Sequence, residues 1–403
     1  METLVGLGTG ALVFVLSLWW VALPVLLMPV ALSALTFRRQ QLYKAKAMES
    51  VLLELRIPPD LVRTPRSMEQ VLLAMHGLRN APRTWKAYHL EGQVTRWFSF
   101  EIVSRGGGLR FFVRTPAALR NLVEASLFSY YPEVEIDTVA DYAADLPSTV
   151  HELEERNLDL WGTELTAAKD PVIPFKTYTQ FSSGEKDGID PLSSVVEILG
   201  KIGKEDFAGI QIVASPADRK WNSGGGDQIT RLKESGMLTP GESASVKEIE
   251  DNVGKPAFNT LVRVLYVAPQ EGFSSNLVSS GVTNAYNQLS GPKNNSFAST
   301  VTVGGKGDRL RFAKARMLWA YRRRAIPEQE WFGKVMTSYR KRQLTGHKER
   351  WAPISVEGLA TMFHPLTSSV LTAPHLERLS SRRVSAPAGL SIYGDDDAIK
   401  RFL

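Results

Sequence analysis

The sequence predicts an α+β protein: a single N-terminal transmembrane helix, two tandem β-α-β-β-α-β units, and a basic helical C-terminal region. Residues Thr3 to Phe37 carry no charge and are closed off by Arg38 and Arg39. Short β-branched runs then alternate with helical patterns in an order that occurs twice. Between Arg309 and Arg350, 13 Lys/Arg stand against 3 Asp/Glu.

The first element is the apolar run at 1–37. A helix rises about 1.5 Å per residue and a bilayer core is about 30 Å thick, so the run suffices for one crossing and falls short of two. Arg38, Arg39, Lys44 and Lys46 follow it, and basic residues favour the cytoplasmic side. The expectation is a single-pass protein of the cytoplasmic membrane, with its C-terminal bulk cytoplasmic and membrane lipid among its partners. A cleaved signal peptide would need a positive start, where this chain has Met1-Glu2. A buried core helix would show a polar stripe. Pro24 and Pro29 read as kinks that membrane helices tolerate.

Residues 38–52 read as a helical stalk. The first unit, 53–140, opens with a strand near Leu53–Ile57 and a helix capped by Ser67, with Gln70 three residues on. Strands Trp97–Ser104 and Leu109–Arg114 are joined by Arg105-Gly106-Gly107-Gly108, where glycine supplies the positive φ of a tight turn. Thr115 and Pro116 read as the start of a helix with Leu119, Leu122, Val123, Leu127 and Tyr130 on one face. A strand at Val134–Val139 completes the unit.

An acidic connector, 141–170, separates it from a second unit, 171–305. There the pattern predicts a strand at Val172–Phe181, a helix capped by Asp190, and a strand at Phe207–Ala214. A polar insertion at 217–257 follows. Strand Asn259–Val267, helix Ser274–Leu289 and strand Phe297–Val303 finish the unit. Pro116, Pro216 and Pro269 mark where strands leave the ladder. The repeated order is the ferredoxin-like one.

The segment 306–352 is basic and aromatic. On a helix over Arg309–Arg324, Leu310, Ala313, Met317 and Tyr321 form one stripe; Phe312 and Trp319 lie opposite, flanked by Arg316 and Arg323. A second basic stretch, Lys334 to Arg350, contains Lys341 and Arg342. Arginine beside aromatic rings holds single-stranded nucleic acid by charge pairing and base stacking. The same residues could meet anionic lipid headgroups, or the helix could be wedged between a domain and a partner protein. The candidate contact residues are Phe312, Arg316, Trp319, Arg322, Arg323, Arg324, Lys341 and Arg342. An extended tract, 353–403, ends the chain.

Composition narrows the chemistry. The chain has 403 residues, no cysteine and a net charge of +6, so disulfides and thiolate metal sites are excluded. The basic segment carries an excess of +10, which leaves the remainder at −4. Gly304-Gly305-Lys306-Gly307 lacks the upstream glycine and the following Ser/Thr of a phosphate-binding loop. The six histidines are scattered, without metal-ligand spacing, and no serine sits in a G-x-S-x-G turn. No catalytic constellation and no cofactor are expected.

Several stretches resemble the region before the motor domain of type IV secretion-like ATPases (the VirB/Tra and HerA-like conjugation group), notably those of candidate-phyla bacteria. They are Trp97-Phe98-Ser99-Phe100-Glu101-Ile102, Val113-Arg114-Thr115-Pro116, Tyr130-Tyr131-Pro132, Arg263-Val264-Leu265-Tyr266-Val267 and Tyr321-Arg322-Arg323-Arg324. Glu357-Gly358-Leu359-Ala360-Thr361-Met362-Phe363-His364-Pro365 is similar to a stretch such proteins carry shortly before the motor, with Gly358 in place of a second glutamate. The resemblance implies a membrane-anchored, non-catalytic scaffold of a secretion, conjugation or pilus-like system. Its partners would be a separate hexameric ATPase, a second copy of the chain, and on the alternative reading DNA.

Overall fold

The computed structural model describes residues 19–47, 49–58, 61–181, 190–218, 221–223, 229–230, 240–305, 308–326 and 351–366. In chain order the elements are α1 (Trp19–Ala47), β1 (Ser50–Arg56), α2 (Pro65–His76), α3 (Trp85–His89), β2 (Phe98–Arg105), β3 (Gly108–Pro116), α4 (Arg120–Tyr130) and β4 (Glu135–Val139). There follow α5 (Val150–Glu155), β5 (Leu158–Ala167), α6 (Tyr178–Phe181), α7 (Ser193–Gly200), β6 (Phe207–Pro216), α8 (Pro240–Val253) and β7 (Ala257–Pro269). The last are α9 (Asn276–Asn287), β8 (Phe297–Val303), α10 (Asp308–Arg323), β9 (Ala352–Ser355) and α11 (Val356–Met362).

The expectation of two separate ferredoxin-like units behind a transmembrane helix is corrected. The strands form one antiparallel nine-stranded sheet in the order β4-β1-β3-β2-β6-β7-β5-β8, with β9 added to the start of β7. The join is made by β2 and β6, which pair from Phe98↔Ala214 to Arg105↔Phe207. All ten residues of β6 are buried. Neither strand of the join is an edge, so both faces of each need cover. Side chains alternate along them: Phe98, Phe100 and Ile102 enter one core, with Ala208, Ile210 and Ile212 of β6. Val103 and Phe207 enter the core on the opposite face.

The larger core is closed by α2, α4, α7, α9 and α11 through Val71, Val123, Leu199, Val282 and Leu359. The smaller core lies under α5 and α10, with Leu160, Leu265, Met317 and Tyr321. A satellite cluster of Val172, Trp221, Ile249 and Val253 holds α8 of the polar insertion.

Other expectations change as well: Ser67, read as a cap, lies inside α2, and Thr64 holds the cap position. The strand read at Val172–Phe181 is β5, displaced into the stretch read as an acidic connector; Tyr178–Phe181 is a short helix. Thr115 lies in β3, and α4 starts at Arg120 after a 3-10 turn. The tract from 353, read as extended, begins with a strand and a helix.

Among the described residues no helix is long and apolar enough to cross a membrane. The expected single-pass anchor and cytoplasmic-membrane location are therefore corrected; residues 1–18 of that span lie outside the described residues. α1 contains Pro24 and Pro29, and its basic end belongs to the folded body. Thr36 and Gln40 are buried, and Thr36 Oγ1 lies 3.0 Å from His89 Nδ1. Arg39 Nη1 donates to the His89 carbonyl at 3.2 Å, and Lys44 Nζ sits 6.0 Å from the Trp97 ring centre. Two of the residues read as topology markers are thus packing and hydrogen-bonding groups. Arg38 is exposed, and the Lys46 side chain lies outside the described set.

Candidate partner-binding face of the basic helix

α10 is fixed to the sheet from below by unusually polar strand positions. Glu101 of β2, Gln211 of β6, Arg263 of β7 and Glu164 of β5 all lie on the face beneath it and are buried. A buried charge is tolerated only when paired and fully hydrogen-bonded. Arg263 Nε and Nη2 donate to Glu164 Oε1 at 3.0 and 2.8 Å. Nη1 donates to the Ala320 carbonyl at 3.1 Å, and Nη2 also donates to the Ala325 carbonyl at 2.9 Å. Both carbonyls lie at or just past the C-terminus of α10, where a cation is favoured.

Arg324 makes the second pair. Its Nε and Nη2 donate to the two oxygens of Glu101 at 2.8 and 3.0 Å, and Nη1 donates to Asp141 Oδ2 at 2.6 Å. Tyr142 donates to Glu101 Oε2 at 2.6 Å and lies 3.0 Å from the Tyr321 hydroxyl. Gln211 Nε2 donates to the Tyr321 carbonyl at 3.1 Å. Burial works against the Arg324 charge, but Glu101, Tyr142 and Asp141 more than offset it and raise the guanidinium well above its ordinary value. Burial likewise opposes the Asp141 carboxylate, and the Arg324 hydrogen bond holds it below its ordinary value all the same. Arg114 beside this network is lowered to about 10 by burial and by Arg324. The Arg324 backbone has φ +48, a conformation that costs a non-glycine residue about 1 kcal/mol or more. The ion pairs hold it there.

Close approach also needs empty positions in the strands. A Cβ on Gly209 would overlap the Tyr321 hydroxyl, and one on Gly162 would press on Met317 Cγ at 2.8 Å. Glycine inside a strand marks such an approach. Lys314 to Asp159 at 2.5 Å and Arg311 to Glu154 at 2.7 Å tie the outer flanks.

The sequence-predicted contact residues are consequently divided. Phe312, Arg316, Trp319 and Arg323 recur at spacings of four, three and four, one stripe of the helix with exposed ends and half-buried Arg316 and Trp319 between them. Phe312 is 77 % exposed, Arg323 is exposed, and its guanidinium lies 5.5 Å from the Trp319 ring centre. Arg322 is turned inward and donates to the Leu146 carbonyl. Arg324 is fully buried and leaves the contact set. Lys341 and Arg342 lie outside the described residues.

The Glu357–Pro365 stretch also proves to be an internal fastening. Glu357 Oε1 accepts from Thr177 at 2.8 Å and Thr179 at 3.1 Å, and its other oxygen pairs with Lys255. Burial raises its carboxyl, yet Lys255 and Thr177 outweigh this, and the group titrates below its ordinary value. His364 Nδ1 lies 2.8 Å from the Ala360 carbonyl, and Nε2 lies 3.1 Å from both Asp190 oxygens. Both ring nitrogens are thus engaged. A cleft elsewhere, lined by Lys204, Asp206, Tyr266 and Leu277, has its Tyr266 hydroxyl donating to Asp206 at 2.8 Å. Among the described residues no group of three or more His, Asp or Glu is placed to hold a metal ion.

No sequence motif announced the Glu101, Glu164, Gln211 and Arg263 network. The available signal was a charge at mid-strand in an otherwise apolar run, in Phe98–Val103 and again in Leu261–Val267. The secretion and conjugation setting, tied to the membrane anchor, is corrected with it, as no described helix is long and apolar enough to cross a membrane. No family model matches the chain, and no curated relative matches it.

Proposed function

We propose that the chain is a non-catalytic docking scaffold that engages a separate ATPase through the outward stripe of α10. The observation that carries this reading is Phe312, a large aromatic left 77 % exposed on a helix whose other side is locked by two buried ion pairs. Aromatic and arginine side chains are enriched at protein interfaces and supply much of the binding energy there. A rigid backbone beneath them reduces the ordering cost of association. The ATPase as partner rests on the resemblance of 321–324 and 357–365 to segments that precede such motors.

The test uses the full-length chain as bait in its native cell extract, beside a Phe312→Ser/Arg323→Glu variant. The expected result is an ATP-hydrolysing protein recovered by the wild type and lost by the variant. Recovery of no ATPase, or equal recovery by both, overturns the reading.

A second reading is a single-stranded nucleic-acid contact, favoured by Arg323 lying over Trp319. Here Arg316→Ala/Arg323→Ala would weaken oligonucleotide binding and flatten its salt dependence. Unchanged anisotropy titrations would end it.

A further inference from the structure

The two outer edges of the sheet are built differently. β4 is five residues long and exposes Glu135 and Asp137; Asp137 takes Arg56 Nη1 at 2.9 Å. Charged side chains on an edge deter a further strand, and a second copy would bring like charges together. β8 is seven residues long and reads Phe-Ala-Ser-Thr-Val-Thr-Val, with no charge and no proline. Among the described residues its only strand partner is β5. Among the described residues no strand lies on its other side, where its backbone donors and acceptors are open to a further strand. A register shift opposite Glu164/Leu165 interrupts β8 at Thr300, which leaves 297–299 and 301–303 as the regular runs.

We propose that β8 is a self-association edge: two copies of this chain pair their β8 strands antiparallel about a two-fold axis normal to the sheet. A strand without charge is complementary to its own copy, which an isologous contact requires. Antiparallel pairing of the same kind already joins β2 to β6 inside the chain. A two-fold axis normal to the sheet keeps like faces on the same side. Both α10 helices, each following directly on its β8, then stand on one surface and present two Phe312–Arg323 stripes. That consequence rests on the docking reading; the pairing itself does not.

Analytical ultracentrifugation of the full-length chain tests it without any partner protein, so its failure is separate from failure of the docking reading. The wild type is expected at the mass of two chains. Thr302→Lys, at an exposed β8 position, should raise the dimer dissociation constant at least about tenfold. Thr138→Lys, exposed on β4, should leave it unchanged. Should Thr302→Lys fail to fold, hydrogen exchange of the wild type decides: β8 amides should gain protection as concentration rises. A wild type at single-chain mass, a dimer that folded Thr302→Lys leaves intact, or β8 exchange independent of concentration overturns the proposal.

Discussion

On the face covered by α2, α4, α7, α9 and α11, the central strands offer Phe98, Phe100, Ile102, Ile210, Ile212, Val262 and Val264. On the face beneath α10 the same strands offer Glu101, Gln211 and Arg263 among aliphatic neighbours. Apolar burial is non-directional and tolerates small shifts of a helix over the sheet. A bidentate guanidinium–carboxylate pair is satisfied in one geometry. The first face supplies most of the burial, and the second sets where α10 sits and which of its residues point outward.

The sharpest way to break this comparison is to remove one charge. Arg324→Ala leaves Glu101 buried without its partner and should cost about 3–5 kcal/mol in denaturant unfolding. Replacing both, Glu101→Leu/Arg324→Leu, should recover most of that loss, because paired burial has little net advantage over apolar packing. Phe100→Ala on the other face should cost a similar amount, about 3–5 kcal/mol. Adding Phe363→Ala, whose ring lies 5.3 Å from that of Phe100, should recover nothing. Equal behaviour of the two double variants would erase the distinction.

Gly209→Ala comes next, at about 1–3 kcal/mol, as the new methyl group lifts α10 off the strand. Tyr321→Phe in the same chain should restore part of the loss, since it removes the hydroxyl that the methyl meets.

A smaller effect is expected from pH. The Glu357 carboxyl titrates below its ordinary 4.5 in the folded chain. Its contribution is therefore present above that value and lost as pH falls through it and below. As pH falls from about 6 to about 3 the wild type should lose more stability than Glu357→Gln does. The smallest change is Phe312→Ser, within about 0.5 kcal/mol of wild-type stability, although it should abolish partner capture. A large stability loss there would mean that Phe312 belongs to the core.

Much of the local structure could be read from the sequence. β8 falls on Phe297–Val303 as the pattern predicts, and β3, β6 and β7 end at Pro116, Pro216 and Pro269. β5 was hidden by Asp159 and Glu164, which made its stretch look like a solvated connector. Their partners Lys314 and Arg263 lie 155 and 99 residues away. The single sheet was hidden for a related reason, because the β2–β6 join is a long-range pairing with no local signature. One clue was present: from Phe98 to Ser104 of β2 and from Phe207 to Ser215 of β6 there is no lysine, proline or exposed charge of the kind that protects a free edge. At the candidate site, Phe312 is exposed and Trp319 half-buried, whereas Met317 and Tyr321 are buried against the sheet. Spacing alone could not show that Arg324, one residue past the helix, turns back into the sheet.

The segment 352–366 touches both halves of the chain at once. β9 extends β7, Glu357 grips Lys255, and Phe363 packs against Phe100 and Phe111 of the first half. Tyr178, whose amide donates to Thr361, also donates to Glu69 of α2. A sheet joined from two halves of a chain would ordinarily allow the halves to melt one after the other. With this rivet across the seam they must lose structure together, so calorimetry should trace a single endotherm whose van't Hoff and calorimetric enthalpies agree.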